Sequence, residues 1–139
     1  MATEILVNDG GAPARIIKFA AGEALTAGDA VAALHVGSGD CTVMKADSSE
    51  ATNLSFVGVA LTDVAAAGDI ASIVTGRGIV CRINCTDVNG GLMMAVGNTG
   101  GQLEVYSDGT DLTDNPVAVT LEDGALGGGG AGLIKCLIL

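Results

Sequence analysis

Residues 56–85 read FVGVALTDVAAAGDIASIVTGRGIVCRINC, and this stretch decides the fold class. Val57, Val59 and Leu61 alternate with smaller residues, Ile70 to Val74 form a second apolar run, and Ile79 to Cys85 form a third. The breaks fall at Ala67-Gly-Asp69 and Gly76-Arg-Gly78. β-branched runs of strand length, cut by Gly and Asp where the backbone must turn, are the pattern of a β-meander. Almost nothing in the stretch could do chemistry, so the reading begins as one of scaffold rather than of active site.

Working outward, the same Ala-Gly-Asp turn occurs at Ala27-Gly28-Asp29, also ahead of an apolar run, and Gly22-Glu-Ala-Leu-Thr26 echoes Gly58-Val-Ala-Leu-Thr62. Gly at a position of positive φ, followed by Asp bonding local backbone, delivers the chain into a strand. Two equivalent corners are therefore expected, a possible internal repeat. Ala30 to Val36 is Ala-rich and leaves a short helix open as an alternative. Arg15 to Phe19 reads as the first strand of the body, Cys41 to Lys45 as another, and Leu92 to Val96, Gln102 to Tyr106, Val117 to Leu121 and the apolar C-terminus from Leu133 as more. Val-Asn-Gly-Gly at 88–91 is a hairpin signal. The expectation is an all-β chain of about nine to eleven strands, an antiparallel β-sandwich or barrel-like domain with Gly-rich turns over residues 15–139. Residues 1–14, broken by Asn8-Asp-Gly-Gly11 and Pro13, read as an extended N-terminal arm.

Composition narrows the function classes. The 139 residues suit one domain, and 49% are hydrophobic, yet there is no Trp, one Tyr and two Phe. An aliphatic core with 22 glycines gains from partner subunits, because each Gly loses more backbone freedom on folding than other residues. A net charge of −10 with scattered Lys and Arg argues against nucleic-acid and anionic-membrane binding. The N-terminus lacks a basic segment followed by an apolar one, so no secretion signal is expected and synthesis in the cytoplasm follows. No apolar run approaches the ~20 residues of a membrane helix.

Candidate chemistry is sparse. His35 is the only histidine and has no sequence-local partner for catalysis. Cys81 and Cys85, on one strand face at about 13 Å separation, are too far apart to bond each other, share that face with Ile79 and Ile83 and read as small core residues; all four cysteines, with Cys41 and Cys136, read as reduced thiols. The Gly127–Gly130 tract lacks the lysine of a phosphate loop. Asp108, Asp111 and Asp114 recur every third position, off the alternate spacing of a calcium loop. No enzyme, cofactor or metal site is expected.

Gly22-Glu-Ala-Leu-Thr-Ala-Gly-Asp-Ala-Val31, Val43-Met-Lys-Ala-Asp47, Val57-Gly-Val-Ala-Leu-Thr-Asp-Val64, Ala67-Gly-Asp-Ile70 and Thr75-Gly-Arg-Gly-Ile-Val80 together resemble small capsid decoration (cement) proteins of tailed bacteriophages, over residues 15–85. The resemblance implies a structural virion protein on the outer surface of the head, commonly a homotrimer, that binds the major capsid protein and stabilises contacts between its copies. Under that role Ile5, Leu6 and Val7 of the arm and the loops at Asp47 and Asp111 are the expected partner contacts. Two other classes stay open: a self-assembling shell or filament subunit, and a β-sandwich carbohydrate-binding or fibre module. Sugar platforms, however, usually need exposed aromatic rings, and this chain has three aromatics.

Overall fold

A computed structural model describes residues 5–6, 13–34, 41–49, 55–86, 90–106, 115–123 and 132–139. Every regular element among them is a strand: β1 (Arg15–Ala20), β2 (Ala30–Leu34), β3 (Thr42–Lys45), β4 (Phe56–Ala60), β5 (Ile70–Thr75), β6 (Val80–Cys85), β7 (Met93–Val96), β8 (Leu103–Val105), β9 (Ala118–Thr120) and β10 (Gly132–Ile138). Over Ala30–Leu34 the Ala-rich run is strand, not helix, and its last two residues lie outside the described residues. Ala30, Val31 and Ala32 are all fully buried, so small side chains there serve close packing between layers rather than helix propensity.

The strands form two five-stranded sheets, one in the order β1-β5-β4-β2-β3 and one closed into a barrel in the order β10-β6-β8-β7-β9. Pairing is antiparallel apart from β6 with β8, which meet in parallel at Cys85 and Leu103, and an isolated parallel bridge between Ala21 and Val43 of β3. The meander expected over residues 56–85 holds only for β4 and β5. After Gly76-Arg-Gly78 the chain leaves the first sheet, and β6 pairs with β10 and β8 of the barrel. Residues 88 and 89 of the hairpin signal lie outside the described residues, but the strands it would join, β6 and β7, are not partners.

The two Ala-Gly-Asp turns are equivalent and interlocked. Gly28 has φ 94° and Gly68 φ 92°, a conformation that a Cβ would strain, and the following N–H closes each turn: Asp29 onto Thr26 O (2.9 Å) and Asp69 onto Ala66 O (3.3 Å). Each turn then bonds the other copy. The N–H groups of Ala21 and Gly68 donate to Asp69 O and Ala21 O, both at 2.8 Å; those of Ala60 and Gly28 donate to Asp29 O (2.9 Å) and Ala60 O (2.8 Å). Between them Leu25 and Val64 exchange a pair of backbone bonds at 2.9 and 2.8 Å. As a result β1 pairs with β5 and β4 with β2, each strand crossing to the other half. The repeat is real but its frame is not that of the echo, which aligns Leu25 with Leu61 rather than with Val64.

Two apolar clusters hold the layers. The larger draws Ala30, Ala32, Val59 and Val74 from the first sheet against Ile79, Cys81, Ile83, Cys85, Met94, Leu103, Ala118, Ile134 and Cys136 of the barrel. The smaller lies on the opposite face of the first sheet and gathers Leu25, Val31, Val43, Val64, Ala71 and Ile73. A bridge between Ala21 and Val43 curls that sheet towards closure at one end of β1. Both cores are aliphatic, as the composition requires.

Candidate interaction surfaces

Of the expected contact residues, Ile5 and Leu6 lie on the chain's own barrel. Arg82 N–H donates to Ile5 O at 2.7 Å, Leu6 bridges Cys81, and Ile5 is 2% exposed within the larger core. They occupy the side of β6 left open beyond its single parallel contact with β8 at Cys85. Asp47 is half-buried, and its Oδ1 accepts from the N–H (2.9 Å) and the hydroxyl (2.6 Å) of Ser49, a local turn bond. Val7, His35, Asp111 and the rest of the acidic run at 108–114 lie outside the described residues.

A cleft of about 360 Å³ opens where the first sheet meets the barrel, lined by Thr26, Asp29, Lys45, Asn84, Gly100 and Leu133 among others. Asp29 is 4% exposed, and its Oδ2 accepts from Thr26 N–H at 2.9 Å. Burial pushes its carboxyl above the ordinary range, against the opposing pull of the Thr26 N–H, the Lys45 ammonium and a hydrogen bond with Asn84. Backbone bonds converge on the same corner: Asn84 N–H donates to Gly28 O (2.8 Å), Ala30 N–H to Gly101 O (2.9 Å) and Gly101 N–H to Ala46 O (2.9 Å). A Cβ on Gly101 would stand 2.8 Å from Asp29 Oδ1. The cleft is thus floored by groups that bond one another and tie the first sheet to the barrel.

Cys81 and Cys85 are core residues, as the face argument expects; Cys136 joins them and Cys41 does not. Cys81, Cys85 and Cys136 are buried, Cys41 is exposed, and all four are free. Cys81 stands directly across from Cys136, and Cys85 Sγ lies 3.8 Å from Cys136 Sγ. Burial pushes Cys81 up to about 12; the contact with Cys136, together with burial, pushes Cys85 up as well. Among the described residues no group of three or more His, Cys, Asp or Glu is placed to hold a metal ion.

Among the described residues two exposed apolar surfaces stand out, and the sequence reading singled out neither. The first is an outer wall of the barrel. Inward and outward positions alternate on β9 and β10, and Met93 pairs with Val119, which pairs with Leu137, so the three form one outward row across β7, β9 and β10. Leu121 and Leu139 flank it, and Met93, Leu121 and Leu139 are 44–46% exposed. Beside it Glu122 accepts from Lys135 N–H (2.9 Å) and pairs with Arg82 (3.1 Å). The second is β1, an edge strand exposed on both faces, with Ile16 at 53% and Phe19 at 37%, and with Ile70 of β5 at 63% across from Ala20. The signal was present in the loose alternation of Arg15 to Phe19 and in Met93 beside Met94, but it shows only once sheet order and barrel closure are known.

No protein-family model and no curated protein matches this sequence. A solved structure does. The chain superposes on the head fiber gp8.5 N base of bacteriophage phi29 with a TM-score of 0.63, over 91% of this chain and 95% of that one. Sequence identity is 14%, so the likeness is one of fold, and it extends across both sheets rather than one of them.

Proposed function

We propose that this protein is a structural component of a tailed-phage virion, seated on the outer surface of the head, where it binds the major capsid protein and stabilises contacts between its copies. The observation that carries the reading is the near end-to-end match in fold to a domain of a phage head fiber, reached independently of the turn-and-strand pattern that resembles cement proteins. The physical build suits the role. A cement protein needs a rigid body and an apolar surface to bury, and the closed barrel presents Met93, Val119, Leu121, Leu137 and Leu139 on one wall. We place the head contact on that wall.

The same match favours a second reading, that the domain is the base of a fibre, mounting a further segment on the head. The two differ in effect: a cement protein strengthens the shell, whereas a fibre base only occupies it. The experiment is to mix the purified protein with heads that lack it, sediment them, and heat the complexes. Co-sedimentation with a raised disruption temperature supports the cement role, and co-sedimentation without it supports the fibre base. Failure to bind, with a folded protein, overturns both.

A further inference from the structure

We propose that Lys45 and Asn84 become joined by an amide between Lys45 Nζ and Asn84 Cγ, a covalent staple between the first sheet and the barrel, with Asp29 as the catalytic carboxyl. The condensation requires an amine, a carboxamide and a carboxyl that can carry protons between them. The cleft at the junction is lined by one of each, with Asp29 buried and Lys45 and Asn84 half-buried.

The backbone holds the three residues together. Asp29 is flanked by Gly28, whose carbonyl accepts from Asn84 N–H at 2.8 Å, and by Ala30, whose carbonyl accepts at 2.9 Å from the N–H of Ala46, the residue after Lys45. Each reacting residue is thus bonded, directly or through its chain neighbour, to one side of Asp29. Lys45 ends β3 and Asn84 lies on β6, so the two belong to different layers. The side chains are guided as well. The Lys45 stem runs against the backbone of Gly100, where an added Cβ would meet its Cβ at 3.4 Å and its Cδ at 3.5 Å. Thr26 N–H donates to Asp29 Oδ2 at 2.9 Å, and Asn84 hydrogen-bonds the same carboxyl.

The chemistry balances without an oxidant or any other reactant. Lys45 Nζ gives a proton to Asp29, and the neutral amine attacks Asn84 Cγ. The Nζ–Cγ bond forms, the Cγ–Nδ2 bond breaks, and Nδ2 leaves as ammonium. Nζ begins with three protons and ends with one; the two it loses pass through Asp29 to Nδ2, so the carboxyl ends as it began. Burial holds that carboxyl above its ordinary range, against the Thr26 N–H, the Lys45 ammonium and Asn84, which suits it to take up and return protons nearer neutrality than a surface Asp. Holding amine and amide in one cleft replaces a bimolecular encounter, and the product constrains the unfolded chain as other cross-links do. The inference does not rest on the virion reading: a stapled protein that ignores heads leaves it intact, and an unstapled one that binds heads overturns it alone.

The test is the intact mass of the purified, folded protein, held at neutral pH until the mass is constant. A chain lighter by one ammonia is expected. Trypsin does not cut after an acylated lysine, so residues 19–77 should be released joined to residues 83–135. Lys45→Arg, which keeps the charge but not the nucleophile, and Asn84→Ala should each show the full mass of their sequences. Asp29→Asn should still be mostly unjoined when wild type is complete, a slowing of at least ~100-fold. Circular dichroism checks that each variant is folded, and Lys45→Arg carries the test should Asp29→Asn fail to fold. Cyclisation of an Asn onto its own backbone also releases ammonia, but it joins no peptides and does not need Lys45. Wild type at full mass, or a loss of ammonia that persists in Lys45→Arg, overturns the proposal, and joining at an unchanged rate in folded Asp29→Asn overturns the part given to Asp29.

Discussion

At the scale of single residues, Asp29 is the group whose surroundings matter most. Its carboxyl is buried at the junction of sheet and barrel, and burial holds its pKa above the ordinary value despite Lys45 and two hydrogen bonds. A raised pKa in the folded state means that the contribution of Asp29 to stability is fully present below the unfolded pKa and is lost as pH rises through the folded one. Wild type should therefore lose stability relative to Asp29→Asn as pH increases from 3 towards 7, read by urea unfolding of the two proteins in parallel. A difference that stays flat with pH would show that the carboxyl is not desolvated. The cysteines give a second test at this scale. Thiolate is the reactive form, and Cys81, Cys85 and Cys136 are buried with Cys81 pushed up to about 12. A chromogenic thiol reagent should modify Cys41 quickly and the other three only as the protein unfolds. Rapid reaction of all four in folded protein would contradict the packing.

At the scale of elements, the strands were legible and their partners were not. Alternation and Gly-Asp punctuation marked β4, β5 and β6 in the sequence, because these residues report local backbone geometry. Nothing local says that β6 leaves the sheet of β4 and β5, since that choice depends on which layer covers the face holding Ile79, Cys81, Ile83 and Cys85. The repeat shows the same division: its turns were visible as Ala-Gly-Asp, while the bonding that crosses β1 to β5 and β4 to β2 was not. The arm is the instructive case. Asn8 to Pro13 break the chain, which suggested a segment separate from the body, but Ile5 fills the barrel's own core and its carbonyl bonds Arg82. Ile5→Ala should cost about 2–5 kcal/mol, the usual range for emptying a buried aliphatic site. Chemical denaturation checks it, and a loss under about 0.5 kcal/mol, the level of an ordinary surface change, would mean that the segment is not part of the core.

At the scale of the whole molecule, two sheets of different design share one core, and each leaves an apolar surface that the fold does not use. A closed barrel has no edge to offer, so its exposed wall is a face, with Met93, Leu121 and Leu139 outward. In the first sheet the exposed apolar residues, Ile16, Phe19 and Ile70, gather on β1 and β5. The candidate contacts read from the sequence lay in loops and arm, where polar and extended residues stand out; the exposed apolar patches are made of ordinary strand residues, which only the layering brings to view. The most direct measurement of the central claim is immunogold electron microscopy of intact phage particles with an antibody against this protein. Label distributed over the outside of undisrupted heads is the predicted result. Label confined to tails, or seen only after the particles are broken open, would contradict a role on the outer surface of the head.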